Sequence, residues 1–173
     1  MEIRLKVFKQ ENQNHIYDEV DRIGNDLFHY LKSPEIARAF RIANSPGNSS
    51  SKVQDVFLSK ATELGFQSEK KHLFRNIPTS NLRPDYYKSI ENSGIIIEVE
   101  RGKTVMNNMD MLDIWKCHLC EVANHLFLFV PNQLSHNANS KPYDCFKKVS
   151  DRLSPFFEVS NYSNVHSLWL FGY

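Results

Sequence analysis

The sequence predicts an α/β fold, a mixed β-sheet flanked by helices and preceded by an N-terminal helical extension. Three amphipathic helical patterns come first, three strand patterns follow, and helix, strand, helix and strand then alternate. Successive strands can form a meander, whereas strand–helix–strand calls for a parallel crossover, so the sheet is expected to be mixed. With 173 residues, 41% hydrophobic and 24% charged, the chain suits a single domain with its own core. Residues 1–50 are assigned to the helical extension and 51–173 to the sheet-bearing core.

From His15 to Lys32 the apolar residues Ile16, Val20, Ile23, Leu27, Phe28 and Leu31 recur three to four apart, one face of a helix. Ser33, Pro34 and Glu35 then supply a cap, a first-turn proline and an acid at the positive end of the dipole of a second helix. It runs to the Asn44-Ser45-Pro46-Gly47-Asn48 breaker. A third helix is expected from Ser51, capped with Gln54, carrying Val53, Val56, Phe57, Ala61 and Leu64 and stopping at Gly65. Strands are expected over residues 66–74, 82–88 and 94–101. A helix over 107–124 follows, with Met111, Leu112, Trp115, Leu119, Val122 and Ala123 turned inward. A strand over 125–130, a helix over 142–153 and a strand over 165–171 complete the order.

The 21 Lys and Arg nearly balance the 20 Asp and Glu, for a net charge of +1, which excludes nucleic-acid binding by bulk charge. No run approaches the length of a membrane span, and Met1 to Lys6 has no signal-peptide character. Three cysteines fit a reducing compartment, so a cytoplasmic protein is expected.

The chemistry concentrates in Arg83-Pro84-Asp85-Tyr86-Tyr87 and in Gly94-Ile95-Ile96-Ile97-Glu98-Val99-Glu100-Arg101-Gly102-Lys103. Side chains alternate along a strand, so Glu98 and Glu100 share the face of Ile96, with backbone positions about 6.7 Å apart. Two acids on so apolar a strand call for a metal, basic partners or a solvent-filled cleft. Asp85, on the preceding strand, can add a third oxygen, and such hard ligands suit Mg²⁺ or Mn²⁺. The plainer alternative is a solvated strand face, with Glu98 and Glu100 paired to Arg83, Arg101 or Lys103.

A helix ending in Leu-Gly-Phe, then Pro84-Asp85, then Glu98-Val99-Glu100 closing an apolar strand, then a helix and another apolar strand, resembles the PD-(D/E)XK nuclease superfamily. The resemblance spans roughly Ser51 to Pro131. It implies a restriction-endonuclease-like core and metal-dependent hydrolysis of phosphodiester bonds in DNA, with RNA not excluded, as in restriction or defence endonucleases. Asp85 and Glu98 would hold Mg²⁺ or Mn²⁺, with Asp85, Glu98, Glu100 and Lys103 as the catalytic set. Glu100 stands where the family usually has Lys. The water-orienting role therefore falls to Glu100 or to a nearby lysine, Lys103 or Lys116. Where many relatives place a glutamate on the preceding helix, this chain has Gln54 with Asp55 beside it. The rival reading is a non-catalytic binding module, for nucleic acid or a protein partner, on the same fold.

For phosphate contacts the candidates are Ser49, Ser50 and Lys52 at a helix start, Lys70 and Lys71, and Arg101. Lys147, Lys148 and Arg152 form a further basic group. Cutting both strands of a duplex favours a homodimer, with the N-terminal helices as its expected surface. Cys117-x-x-Cys120 has the spacing of a zinc pair but sits in a predicted helix without a second pair, so these thiols and Cys145 are assigned to packing. The Ser-rich loop lacks the Gly-Lys-Ser/Thr ending of a P-loop, and no organic cofactor is expected.

Overall fold

The computed structural model describes residues 2–11, 15–45, 47–68, 73–74, 76–77, 82–135 and 140–173. Its main sheet has six strands: β1 (Arg4–Lys9), β2 (Gln67–Ser68), β3 (Tyr86–Ile90), β4 (Ser93–Val99), β5 (His125–Val130) and, after the short hairpin β6 (Gln133–Leu134) and β7 (Tyr143–Asp144), β8 (Ser167–Gly172). The helices are α1 (Ile16–Leu31), α2 (Pro34–Ala43), α3 (Ser50–Glu63), α4 (Met109–Leu119) and α5 (Cys145–Leu153), with a 3₁₀ turn over Ser154–Phe157.

Strand order is β1-β8-β5-β4-β3-β2. Strands β4 and β5, and β5 and β8, pair in parallel, while β2–β3–β4 is an antiparallel meander, the mixed sheet expected from the element order. β1 pairs antiparallel with β8, a strand the periodicity did not reveal. Its apolar Leu5 and Val7 are only partly buried and alternate with Arg4 and Lys6, so it needs the edge that β8 offers.

The strand expected over 66–74 is reduced, among the described residues, to Gln67 and Ser68. β3 starts four residues later than expected, after Pro84, whose missing N–H cannot join a ladder. The third helix begins at Ser50 rather than Ser51; its N-cap is Ser49, whose hydroxyl bonds that of Ser51 at 2.5 Å, so the Ser51–Gln54 cap does not form. Gly65 ends this helix as expected, at φ +87°. The helix expected over 142–153 starts at Cys145, where the carboxylate of Asp144 caps it by accepting from the Lys147 N–H at 2.7 Å.

Helices α1, α2 and α3 cover one face of the sheet, packing Val20, Ile23, Leu27, Phe40 and Phe57 onto Ile95, Ile97, Phe129 and Phe171. Phe57 and Phe129 stack at 4.5 Å. Gly24 lets α1 lie close, since a Cβ there would meet the Trp169 ring at 2.5 Å. The residues before 50 thus supply a layer of the core rather than only an appendage. The other face, with Ile96, Leu126, Leu128 and Leu168, is covered by Ile114 and Cys117 of α4 and by Phe146 and Val149 of α5. All three cysteines are buried free thiols.

The orientation of α4 differs from expectation. Leu112, Trp115, Leu119 and, just beyond the helix, Val122 are exposed, while Asp110, Asp113, Ile114 and Cys117 are buried. Two apolar stripes exist on this helix, and the one that shares its side with the acids is the one that faces the sheet. No helix among the described residues is long and apolar enough to cross a membrane.

Candidate functional site

The site lies at the C-terminal end of β4, beside its parallel neighbour β5. Glu98 projects from the same side of β4 as Ile96, toward α4, and only 4% of it is exposed. Helix α4 answers with two side chains one turn apart, Asp113 and Lys116. The Lys116 Nζ lies 2.7 Å from Glu98 Oε1 and 3.3 Å from Asp113 Oδ1. The other oxygen, Asp113 Oδ2, is buried and has no hydrogen-bond partner among the described residues.

Asp85 stands just before β3, and its Oδ2 accepts the Val99 N–H at 2.8 Å, which fixes it against the end of β4. Glu100 follows directly after β4. Its N–H donates to the Phe129 carbonyl at 2.9 Å, and its own carbonyl accepts the Tyr173 hydroxyl at 2.6 Å. The Tyr173 ring in turn stacks on Phe40 of α2 at 5.3 Å.

This cluster holds more negative charge than one ammonium balances. Burial raises the Glu98 carboxyl well above the usual range, and the charge of Asp113 adds to it. Burial first, and Asp113 second, push Glu100 up to about 8. Burial likewise holds Asp113 at about 7 against the opposing pull of Lys116. Lys116 itself is raised: burial alone would lower it, but the charges of Glu98 and Asp113 outweigh burial.

A cation would relieve that surplus, and the buried, unpartnered Asp113 Oδ2 suits one. In the arrangement seen, Lys116 already lies against Glu98 and Asp113, and among the described residues no three His, Cys, Asp or Glu side chains are placed to hold a metal ion together.

Of the residues expected to form the site, Asp85, Glu98, Glu100 and Lys116 are brought together. Lys103 is exposed in the turn after β4 and makes no ion pair with the cluster among the described residues. Gln54, half-buried, and Asp55, exposed, lie on α3 and make no polar contact with it there. Arg101 does not pair with the acids: its guanidinium donates to the Ser45 carbonyl at 2.6 Å and to Asn44 Oδ1 at 3.4 Å, clasping the α2–α3 loop to the end of β4. Ser49, Ser50 and Lys52 are exposed at the end of that loop. Lys70 and Lys71, with His72 and Arg75, lie outside the described residues. Arg152 is committed to Asp110, at 2.8 Å, and Lys147 pairs with Asp151. Tyr87 donates to the Val122 carbonyl and Tyr86 joins the core, so both pack.

Asp113 was not anticipated. The signal was present in the polar positions 110, 113 and 116, three apart on a helix whose other residues are mostly apolar.

No protein-family model matches the sequence, and no curated protein sequence matches it. Among solved structures, the chain is similar to restriction endonuclease BglII, described in complex with a DNA 16-mer, at 12% identity. The alignment covers 99% of this chain and 78% of that chain, with a TM-score of 0.49. At that identity the likeness concerns the course of the backbone, not which side chains act.

Proposed function

We propose that this chain is a Mg²⁺-dependent nuclease that hydrolyses phosphodiester bonds in DNA, of the restriction or defence type. The observation that carries the reading is the set of carboxylates, Asp85, Glu98, Glu100 and Asp113, gathered at the end of β4 with one lysine to balance them. Asp85 and Glu98 would hold the cation, as the resemblance to the PD-(D/E)XK pattern implies. When bound, Mg²⁺ supplies charge stabilisation at the scissile phosphate and acidifies a water molecule. Lys116 takes the part of the motif lysine from the following helix: anchored by Asp113, its ammonium orients the attacking water and faces the phosphate. Glu100 positions that water from the other side, and Arg101, by fastening the α2–α3 loop, presents Ser49, Ser50 and Lys52 to the backbone.

The second reading, a binding module without hydrolysis, is favoured by one observation, the ion pair of Lys116 with Glu98 at 2.7 Å, which sets a side-chain cation against that carboxylate where a metal ion would otherwise balance it. Incubation of genomic DNA with the wild-type chain and with Glu98→Gln, in Mg²⁺, in Mn²⁺ and in chelator, separates them. Cation-dependent fragments from the wild type alone support the nuclease. DNA bound equally by both and cut by neither, with no heat on titrating Mn²⁺ into the wild type, supports the module.

A further inference from the structure

Strand β1 is an edge of the main sheet, and its outer side is open. Tyr173 donates its N–H to the Val130 carbonyl at 3.0 Å, so the odd-numbered residues of β8 turn their backbone groups to β5 and the even-numbered ones to β1. By the register that sets Arg4 opposite Gly172 and Lys9 opposite Ser167, the residues Arg4, Lys6 and Phe8 bond to β8, and the N–H and C=O of Leu5, Val7 and Lys9 point outward. Every residue of β1 stays at least partly exposed, whereas all six of β8 are buried. The strand is held from both faces: Phe8 stacks on Phe157 at 5.6 Å, and Lys9 pairs with Asp21 of α1. On the α1 side, an open cleft of about 330 Å³ lined by Val7, Lys9, Asp21, Asn25 and Trp169 lies beside this edge.

We propose that the free edge of β1 takes up an extended, acidic peptide segment of a partner protein as a seventh strand. The outward backbone groups of Leu5, Val7 and Lys9 offer a ladder to an extended chain, and side chains set which chain it accepts. From Ile3 to Gln10 there are three cations, Arg4, Lys6 and Lys9, and no acid. Arg4 and Lys9 pair with Asp144 and Asp21, while the exposed Lys6 has its Nζ 4.8 Å from the Phe8 ring and no carboxylate partner among the described residues. Cations along an edge oppose pairing with a second copy, which would bring three more of them alongside. A strand with carboxylates on the Lys6 face turns that repulsion into attraction. Because side chains alternate, the residue opposite Val7 falls on the other face and enters the cleft over Val7 and Trp169, where an apolar side chain fits. The segment this edge selects therefore alternates acidic and apolar residues. Strands β8 and β5 separate β1 from β4, so the contact shares no residue with the candidate site and does not depend on hydrolysis.

Fluorescence anisotropy of the full chain with a labelled peptide of alternating Glu and Val, and with its Lys-for-Glu counterpart, tests it. The acidic peptide should bind saturably and more weakly as salt is added, and the amide protons of Leu5, Val7 and Lys9 should become protected from hydrogen exchange. Val7→Pro removes an outward N–H but no bond to β8, and Lys6→Glu reverses the exposed charge; each should weaken binding by about tenfold or more. Thermal melts confirm folding, and either variant suffices if the other fails to fold. A wild type that leaves the acidic peptide unbound at millimolar concentration overturns the proposal. So does equal binding of the basic peptide, or a folded variant that binds as the wild type does. Duplex DNA bound through Lys6 in place of the peptide, or a wild-type dimer that Val7→Pro dissociates, overturns it as well.

Discussion

Replacing Asp113 with Asn should stabilise the metal-free protein above neutral pH, because it removes a buried charge that the fold resists. The side chain keeps its shape and an oxygen for Lys116. In the native state Asp113 is held at about 7 against an ordinary value of 3.8. That interval is roughly three pH units, each worth 1.36 kcal/mol, so ionising Asp113 costs the fold at most about 4 kcal/mol. Because the folded value is the higher one, this contribution to stability is complete at low pH and is lost as the pH rises through about 7. Asparagine has no proton to lose. Glu98 and Glu100, both raised in part by the charge of Asp113, would also ionise more easily in the variant. Seating an amide N–H₂ where Oδ2 has no partner offsets some of the gain, leaving about 1–3 kcal/mol at pH near 8. Urea unfolding in chelator, followed by circular dichroism at a series of pH values, measures it. Stability curves for wild type and Asp113→Asn that run parallel across the pH range, or a variant less stable at high pH, would refute the reasoning.

Lys116→Met leaves Glu98 and Asp113 facing each other without their cation; stability at neutral pH should fall by about 3–5 kcal/mol, and less in acid, where the carboxyls carry protons, as read by the same unfolding series. Tyr173→Phe keeps the stack on Phe40 but removes the hydroxyl that holds the Glu100 carbonyl at 2.6 Å. It should cost about 1 kcal/mol in urea unfolding, and single-turnover DNA cleavage should slow while DNA affinity in a gel-shift assay is unchanged.

Strand β5 is legible to the residue because five apolar residues in a row, Leu126 to Val130, follow His125, all buried between two parallel neighbours. The face assignment of β4 follows from period two alone, which is why Glu98 could be placed with Ile96 before any packing was known. Strand β1 was illegible for the opposite reason: its pairing partner lies at the far end of the chain. Helix α4 has two competing stripes, Met111–Ile114 and Leu112–Trp115–Leu119, and periodicity cannot rank them. What ranks them is the acid on β4, whose burial calls for Lys116 on the inner side; Asp113 follows by the helical turn. The half of the site carried by strands was therefore readable locally, and the half carried by α4 was not.

The place of β8 in the sheet has a consequence for how the molecule forms. It is the last of the strands in chain order, yet it is inserted between β1 and β5, with all six of its residues buried. Strand β1 waits without a partner, and β5 presents an open edge, until residues 167–172 arrive. Such distant pairings make for slow closure and a late, cooperative final step. A ribosome-bound chain lacking β8 would leave the apolar strand β5 with an unpaired edge, a template for pairing with other chains. Because Arg4 lies opposite Gly172, a short peptide joining the two ends would turn this last pairing into a local one, and a circular permutant opened in the α2–α3 loop should fold faster than the native order.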